Sequence, residues 1–310
     1  MSLKKQIIPI ITGPTASGKS SFALDLADAM GNSAIVGADS MQVYKHLDIG
    51  TAKATLADRA RTPHYLIDFL ELDQKFAVTD YQKLAASTVN QLLDENIHPI
   101  VCGGTPQYVT SLVEGTKFMP SSTYPELRAR LETRIEEEGS ANLLEELSKY
   151  DPEKAAELHP NNQRRIVRAL EIAILTEHKQ SDWDEEAQTI EFPFEVKVFM
   201  FNWPREELYK RINMRVDQML EDGILDEARY LFDLDLAPDT TSLQAIGYKE
   251  FFPYFRGEIT LDEAVEDLKK YSRRYAKRQL TWFRHKDWVN YLEVDNANNI
   301  DIVLKAINAF

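Results

Sequence analysis

The chain has few cysteines and histidines, the residues that build disulfides and zinc sites, and it has no long apolar run that could form a membrane span. Among its 310 residues there are six histidines and a single cysteine, Cys102, which excludes disulfide bonds and a cysteine-rich zinc site. No apolar run reaches the roughly 18 residues that a membrane span needs. The opening residues, MSLKKQIIPI, lead directly into a strand pattern, so we expect no signal peptide. We therefore expect a cytoplasmic protein with no membrane segment, and nothing in the sequence demands more than a monomer.

Positive charge is also scarce and unevenly placed. The chain has 36 Lys and Arg against 50 Asp and Glu, a net charge of −14, which argues against a generally nucleic-acid-binding surface. Residues 269–286, KKYSRRYAKRQLTWFRHK, are different, because they hold eight Lys or Arg and no Asp or Glu. This asymmetry indicates one local anionic partner.

The basic segment has helical periodicity. On a helix, one side carries the cations Lys270, Arg273, Arg274, Lys277, Arg278 and Arg284. The adjacent side carries Leu268, Tyr271, Tyr275 and Trp282, which are predicted to pack against the core. A one-sided basic stripe suits an RNA backbone. The alternative is a solvated helix whose cations pair with the protein's own carboxylates.

The first hundred residues alternate between strand and helix patterns. Ile7 to Thr12, SAIVGAD, YLIDF and HPIVCGG are predicted strands, and TDYQKLAASTVNQLLDEN is a predicted helix that Thr79 caps. Strands that alternate with helices form βαβ units with a parallel sheet. The fold class predicted is therefore α/β, with a parallel sheet as its core.

A helical insertion interrupts this pattern. Residues 120–193 are strongly helical and charged, whereas FEVKVFMFNWP after them is again a strand pattern that we expect to rejoin the core sheet. The predicted organisation is a discontinuous core, residues 1–119 and 194–310, with a helical insertion domain at 120–193.

A phosphate-binding loop follows the first strand. GPTASGKS fits the pattern G-x-x-x-x-G-K-[ST] between a strand and a helix, as the motif requires. The parallel-sheet core is therefore expected to be P-loop NTPase-like. The loop's backbone N–H groups and the helix N-terminus attract phosphate, Lys19 adds a positive charge, and Ser20 can bind Mg²⁺. The predicted phosphate-binding residues are Gly13, Pro14, Thr15, Ala16, Ser17, Gly18, Lys19 and Ser20.

An acidic residue stands at the end of the second strand. Asp39, in GADSMQVYKHLDIGTAK, lies at the edge of the sheet where ligands of parallel sheets bind. Its carboxylate could hold Mg²⁺ or act as a general base, or it could do no more than cap the following turn. Asp48 is the weaker alternative because its loop is less defined.

Seven sequence blocks stand in a fixed order across residues 7–286: GPTASGKS, ADSMQVYKHLDIGTAK, PHYLID, CGGTPQY, HPNNQRRIVRALEI, LQAIGYKE and YAKRQLTWFR. In these blocks and their order the sequence resembles the bacterial tRNA dimethylallyltransferases, also called tRNA isopentenyltransferases. In that family the loop grips the diphosphate of dimethylallyl diphosphate. The N6 amine of the adenine 3′ of the anticodon attacks the allylic carbon, and pyrophosphate leaves.

The resemblance assigns roles to residues of this chain. It implies that Asp39 takes the amine proton, that Thr105 lies by the reacting groups and that Arg215 meets the diphosphate. The hard oxygen ligands and the diphosphate predict Mg²⁺ as cofactor, with Mn²⁺ as the alternative. The residues implied in tRNA contact are Asp39, Ser40, Met41, Gln42, Thr105, Arg128, Gln163, Arg164, Arg165, Ile166, Val167, Gln244, Gly247, Tyr248 and Lys249. The basic stripe adds Lys270, Arg274 and Lys277 to this set. The partners expected are therefore tRNA, through its anticodon stem-loop, and dimethylallyl diphosphate.

The chain departs from the family pattern at two places. Pro106 and Gln107 replace the usual glycine and apolar residue after Thr105, which puts the local loop shape in doubt. Gln244 and Lys249 stand where the family often has arginine, and lysine loses the bidentate fork of arginine.

Three other functions share some of these features. A P-loop small-molecule or nucleotide kinase would share the loop and the sheet. An adenylate isopentenyltransferase acting on free nucleotide would share the first motifs but has less need of the insertion and the basic helix. An RNA-binding module with a vestigial loop would not need Lys19, Ser20 and Asp39 intact.

Overall fold

The computed structural model describes residues 5–117, 125–176 and 189–308. The chain divides into two compact units: a core unit, Met1–Gly115 with Glu191–Phe310, and a helical unit, Thr116–Ile190. The boundary predicted at 119/120 lies outside the described residues. Within the described ranges, no helix is long and apolar enough to cross a membrane.

The core unit is built on one sheet of six strands, which run in the order β3-β2-β4-β1-β5-β6. The strands are β1 (Ile7–Thr12), β2 (Ser33–Gly37), β3 (His64–Tyr65), β4 (His98–Gly103), β5 (Glu195–Asn202) and β6 (Val289–Glu293). Every adjacent pair is parallel. The predicted α/β fold with a parallel sheet is confirmed, and β5 rejoins the sheet beside β1 as expected.

Helices surround the sheet in the core unit and form the whole of the described helical unit apart from its loops. In the core unit they are α1 (Lys19–Met30), α2 (Leu56–Arg61), α3 (Val78–Asp94) and α4 (Pro106–Glu114). In the helical unit they are α5 (Pro125–Glu138), α6 (Ser140–Tyr150), α7 (Pro152–Glu157) and α8 (Gln163–Thr176). The core unit continues with α9 (Arg205–Glu221), α10 (Ile224–Asp233), α11 (Phe252–Phe255), α12 (Leu261–Arg284) and α13 (Asn299–Asn308).

The central strand is buried on both faces, which explains its uninterrupted apolar sequence, IIPIIT. Ile8 and Ile10 pack in one cluster with Tyr81 of α3 and Val109 of α4. Ile11 points to the opposite cluster, which contains residues of α1 and α13. Helices on both faces are the usual environment of a parallel sheet. Since β1 is held from both sides, the loop that follows it starts from a rigid support.

Two local predictions were wrong. Helix α3 begins at Val78, and the Asp80 carboxylate accepts a hydrogen bond from the Ala77 N–H at 2.9 Å, so Asp80 rather than Thr79 serves its first turn. The segment YLIDF does not form a five-residue strand, because Leu66 and Asp68 have φ values of 58° and 60°. Left-handed residues cannot continue a strand, and only His64–Tyr65 pairs with β2.

The orientation predicted for the basic helix was also partly wrong. Tyr271 and Trp282 are 37% and 39% exposed. Leu268 is buried as predicted, and the rest of the buried face of α12 carries Ser272, Ala276 and Phe283. The small side chains at 272 and 276 allow close packing along that line, so the aromatic residues beside them are left at the surface.

Candidate active site

The phosphate loop turns from β1 into α1 through residues with left-handed backbone conformations. Ala16 has φ 62°, and Gly18, the residue before α1, has φ 86°. Glycine adopts such a conformation at little cost because it has no Cβ. The turn brings the loop's backbone N–H groups and the positive end of the α1 dipole together. The strand, loop and helix predicted from GPTASGKS are therefore present, in the arrangement that binds phosphate.

Two side chains from α9 and its preceding turn support this loop from outside. The Trp203 indole Nε1 donates a hydrogen bond to the Ser17 carbonyl at 2.9 Å, and Arg211 Nε donates one to the Ala16 carbonyl at 2.9 Å. The Arg211 guanidinium also stacks on the Trp203 ring at 4.6 Å. Because the C=O and N–H of a trans peptide point in opposite directions, the Gly18 N–H of the Ser17–Gly18 peptide points away from Trp203. These two residues therefore orient the donors of the loop.

Two cations of the site are half-buried, Lys19 and Arg215. Lys19 Nζ donates a hydrogen bond to the Pro14 carbonyl at 3.3 Å. Arg215 donates through Nη1 to the Thr15 hydroxyl and through Nη2 to the Gly50 carbonyl at 3.4 Å. Burial lowers the pKa of Lys19 and of Arg215, and in both cases the Asp39 carboxylate opposes the shift. A ligand phosphate would supply the negative charge that these half-buried cations favour.

Asp39 lies just beyond the end of β2 and is half-buried. Its Oδ1 accepts hydrogen bonds from the backbone N–H groups of Met41 at 3.0 Å and Gln42 at 3.4 Å. Within the described part of the chain, the structure records no hydrogen bond to Oδ2. Asp39 therefore shapes the turn, as one interpretation predicted, and retains a second oxygen for chemistry.

Asp48, the alternative acid, is engaged elsewhere. Its carboxylate forms an ion pair with Lys53 Nζ at 2.5 Å, and Lys53 is only 6% exposed. Lys53 also pairs with Asp68 at 2.9 Å. These contacts give Asp48 a structural role in its loop, which leaves Asp39 as the acid at the edge of the sheet.

Thr105 ties the end of β4 to the end of β2. It precedes α4 in the capping position, but its hydroxyl makes no capping bond to that helix. Instead Oγ1 accepts a hydrogen bond from the Ser40 N–H at 2.9 Å and donates to Ser40 Oγ at 3.3 Å. The two preceding glycines make this approach possible, because a Cβ on Gly103 would lie 2.2 Å from the Ala38 backbone. Pro106, which departs from the family pattern, occupies the first position of α4, where proline is well tolerated.

One wall of the site is the loop that contains Asp48, Ile49 and Gly50. The Glu227 carboxylate of α10 accepts backbone hydrogen bonds from Asp48 at 2.8 Å and from Ile49 at 3.0 Å. The Tyr248 hydroxyl donates to the same carboxylate. A Cβ on Gly50 would lie 2.5 Å from the Tyr248 ring, so only glycine fits there. The loop is thereby attached to α10 and to the 3₁₀ turn at Lys249–Phe251.

These elements enclose a cavity of about 200 Å³. From the predicted site it is lined by Thr15, Lys19, Ser20, Asp39, Ser40, Met41, Gln42, Arg215, Gln244 and Gly247. The structure therefore brings the phosphate loop, the acid after β2 and the arginine of α9 around one space. Thr105 lies behind Ser40 and does not line the cavity itself.

Two residues of α12 line the cavity although the sequence analysis placed neither in the site: Tyr275 was expected against the core, and Gln279 had no assigned role. Tyr275 is half-buried, and burial together with the Asp39 carboxylate raises the pKa of its phenol, which stays protonated. Gln279 is 2% exposed, and its Nε2 donates to the Gly104 carbonyl at 2.6 Å. The feature of the sequence that could have identified them is the spacing of Ser272, Tyr275 and Gln279, at intervals of three and four residues. This spacing places the three side chains on one helical face.

The oxygen atoms of the cavity fit a magnesium ion that a diphosphate also binds. The Ser20 hydroxyl and the Asp39 carboxylate line the same space. Among the described residues there is no group of three or more His, Cys, Asp or Glu that could hold a metal. Mg²⁺ characteristically uses one or two protein oxygens with substrate phosphates and water, rather than a cage of protein ligands.

The predicted RNA-contacting residues of the helical unit divide into two groups. Gln163, Arg164 and Arg165 are exposed at the start of α8. Ile166 and Val167 are 0% and 3% exposed and belong to the hydrophobic core of the unit. For these two, contact with RNA stays a prediction, and with the side chains buried it would involve their backbone.

Arg128 already has a strong partner within the helical unit. Its Nε and Nη2 donate to the two oxygens of Glu171 at 2.9 Å and 2.6 Å. The Glu171 side chain is fully buried, and Arg168 lies 3.5 Å from it as well. Arg128 therefore neutralises a buried carboxylate, and its contact with RNA stays a prediction.

The cations of α12 differ in how they are paired. Lys270 forms an ion pair with Asp267 at 2.9 Å, one turn away on the same helix. Arg274 and Lys277 are exposed and have no ion pair within residues 5–117, 125–176 and 189–308. Pairing with the protein's own carboxylates therefore accounts for Lys270 but not for Arg274 and Lys277.

In the block QAIGYK, Gln244 and Gly247 line the cavity, whereas Tyr248 is fully buried and holds the loop through Glu227. Lys249 is half-buried beside them. Tyr248 thus has a supporting role in this structure, and the block contributes to the cavity through its other members.

Comparison with known proteins identifies the family. A profile of the family described as IPP transferase matches residues 42–286. This chain belongs to the IPP transferase family. It is 43% identical to the tRNA dimethylallyltransferase of Bacillus velezensis over 99% of this chain and 97% of that protein. It is 40% identical to the Bacillus subtilis protein of the same name, with the same coverage.

Solved structures of similar proteins agree in fold. The tRNA isopentenylpyrophosphate transferase of Bacillus halodurans matches with a TM-score of 0.71 and 39% identity, over 99% of this chain and 96% of that one. A eukaryotic dimethylallyltransferase described as acting on tRNA matches with a TM-score of 0.82 and 28% identity, over 98% of this chain and 78% of that one. The family resemblance carried by the seven sequence blocks is confirmed, together with the P-loop NTPase-like core.

Proposed function

We propose that this chain is a tRNA dimethylallyltransferase. It transfers the dimethylallyl group of dimethylallyl diphosphate to N6 of the adenine 3′ of the anticodon and releases pyrophosphate. The observation that carries the proposal is the single cavity lined by Lys19 and Ser20 of the phosphate loop and by Asp39. Membership of the IPP transferase family supports it. A nucleotide kinase is not favoured by any of the relatives described.

The diphosphate of the donor binds at the phosphate loop. The loop's N–H groups, oriented by Trp203 and Arg211, donate hydrogen bonds to its oxygens, and the half-buried cations Lys19 and Arg215 neutralise its charge. Ser20 would hold Mg²⁺, which would stabilise the leaving pyrophosphate by its positive charge. Charge that develops on the bridging oxygen is thus met by donors that are already in place.

The acceptor amine loses its proton to Asp39. The N6 lone pair is delocalised into the adenine ring, so the amine is a weak nucleophile, and a carboxylate that accepts its proton assists the attack. The N6–C1 bond forms as the bond between C1 and the diphosphate oxygen breaks, and the electron pair of that bond leaves with pyrophosphate. Oδ2 of Asp39 is the oxygen for this task, because Oδ1 already accepts two backbone hydrogen bonds.

Thr105 and Tyr275 hold the site in shape around Asp39. The Thr105 hydroxyl fixes the Ser40 backbone next to the acid. Tyr275 stays a neutral donor because burial raises the pKa of its phenol. Neither group then competes with Asp39 for the proton.

The RNA reaches the site with its target base unstacked, since N6 inside a stacked loop cannot enter a closed cavity. The exposed cations Arg164, Arg165, Arg274 and Lys277 are proposed to contact its phosphates. The helical insertion contributes the first two of these, which is its proposed function.

One incubation tests the reaction. The full chain is given labelled dimethylallyl diphosphate and Mg²⁺, with unmodified tRNA, its anticodon stem-loop and AMP as parallel acceptors and without ATP. A companion sample contains the same acceptors with ATP in place of the prenyl donor. Label on the RNAs supports the proposal. Label on AMP alone identifies a nucleotide prenyltransferase, and ATP turnover with no prenyl transfer identifies a kinase; either result overturns the proposal. Omission of Mg²⁺ tests the cofactor separately.

A further inference from the structure

A second cavity, of about 600 Å³, lies at the carboxyl ends of β5 and β6 and shares no lining residue with the first. Its floor includes Met200 of β5 and Leu280 of α12. Ligands of open α/β sheets bind outside the carboxyl ends of the strands, and cavities of this volume are typical of small-molecule sites. Its position and size are therefore those of a ligand site.

Three aromatic side chains line this cavity. Trp203 follows β5, Tyr209 lies on α9, and Tyr291 of β6 pairs in register with Met200 of β5. Two of the rings are fixed by cations, because Arg211 stacks on Trp203 at 4.6 Å and Arg205 on Tyr209 at 5.1 Å. Rings that are already ordered lose little entropy when a planar ligand packs against them.

Three cations complete the lining: Arg205, Lys277 and Arg284. All three are exposed, and in the described part of the chain none forms an ion pair. This is unusual in a protein with a net charge of −14, in which acidic partners are plentiful. Unpaired cations beside aromatic rings are the combination that binds a base and its phosphate.

We propose that this second cavity binds a nucleotide, with the base against Trp203, Tyr209 and Tyr291 and the phosphate against Lys277 and Arg284. The nucleotide is either a free mononucleotide or one unit of a bound RNA, and the two share this chemistry. The proposal concerns binding and holds independently of prenyl transfer. Because Trp203 also bonds to Ser17, an occupied cavity contacts the same residue that supports the phosphate loop.

Binding of AMP to the full-length protein tests the proposal, with calorimetry as the readout. Tyr291→Thr removes a ring but keeps a residue suited to a strand, and Arg284→Gln removes a charge without breaking an ion pair of the described structure. Each is expected to weaken AMP binding by about five-fold or more, the lower end of measured base-stacking and charge contributions. Tyr230→Thr is the matched control, because Tyr230 and Tyr291 are both 46% exposed.

Lys19→Ala separates the two cavities, since it removes the cation of the phosphate loop. AMP affinity that survives Lys19→Ala and falls in Tyr291→Thr supports the proposal. AMP affinity that is lost in Lys19→Ala and unchanged in Tyr291→Thr and Arg284→Gln overturns it, because the nucleotide then binds at the phosphate loop. Circular dichroism of each variant confirms that it is folded.

A second arm distinguishes the source of the nucleotide. If one unit of an RNA occupies the cavity, Tyr291→Thr and Arg284→Gln weaken binding of the anticodon stem-loop, and AMP, where it binds, competes with that RNA. If a free mononucleotide is the ligand, AMP and the RNA bind together and the RNA affinity is unchanged. Unchanged affinity for both AMP and RNA in both variants overturns the proposal.

Discussion

The hydrogen bond from Trp203 to the phosphate loop leads to a quantitative prediction. Trp203→Phe keeps a ring beneath the Arg211 guanidinium but removes the indole N–H that reaches the Ser17 carbonyl at 2.9 Å. A neutral hydrogen bond contributes about 0.5–1.5 kcal/mol. If that free energy serves to hold the Ser17–Gly18 peptide in its binding orientation, the dissociation constant for pyrophosphate increases by about 2- to 13-fold.

The assay is calorimetric titration of the full chain with pyrophosphate in the presence of Mg²⁺. Trp282→Phe is the control, because it removes an equivalent indole hydrogen bond, to the Thr110 hydroxyl at 3.0 Å, away from the loop. Its affinity for pyrophosphate is expected to equal that of the unaltered protein. The reasoning is refuted if Trp203→Phe leaves the affinity unchanged, or if both variants lose it equally.

Three further predictions concern single charged groups. Asp39→Asn is expected to lower kcat by about 10²- to 10⁴-fold in steady-state assays, which is the usual contribution of a general base. A comparable loss of affinity for pyrophosphate would show instead that Asp39 acts in binding. Arg128→Met leaves the buried Glu171 carboxylate short of two hydrogen bonds and destabilises the helical unit by about 2–4 kcal/mol, measured as faster amide exchange in α5 and α8. Arg130→Met, on the same helix, is the control and leaves amide exchange unchanged. If Arg128→Met lowers the affinity for RNA while amide exchange in α5 and α8 stays normal, Arg128 contacts RNA directly. Burial lowers the pKa of Lys19, so this side chain loses its positive charge below the ordinary lysine pKa of 10.5. The affinity for pyrophosphate is therefore expected to decline as the pH rises towards that value. Lys19→Arg moves the decline to higher pH, and a decline that does not move would be caused by another group.

The parts of the fold that could be predicted were those with a strong local pattern. The strand Ile7–Thr12 is buried on both faces and has an unbroken apolar sequence, so its extent was predicted to the residue. The phosphate loop has a motif whose chemistry requires a strand before it and a helix after it. Family membership followed from seven ordered blocks, which carry far more information than periodicity.

The parts that could not be predicted depend on contacts between distant residues. Strand β6 has only five residues, VNYLE, and is defined by its pairing with β5 rather than by its own pattern. Tyr275 and Gln279 line the cavity because α12 packs through Ser272 and Ala276, a choice that the charge pattern of the helix does not reveal. The partnership of Arg128 with Glu171 joins residues 43 positions apart, beyond the reach of any helical spacing rule.

The order of strands has a consequence for synthesis of the chain. Strand β1 is made first, yet its neighbours on either side, β4 and β5, lie on opposite sides of the inserted helical unit in sequence. While residues 116–194 leave the ribosome, one edge of β1 has no strand to pair with, and an unpaired apolar edge favours aggregation. We expect the nascent core to depend on a chaperone until β5 emerges. The phosphate loop follows β1 directly, so we expect it to bind phosphate only after β5 has paired with β1.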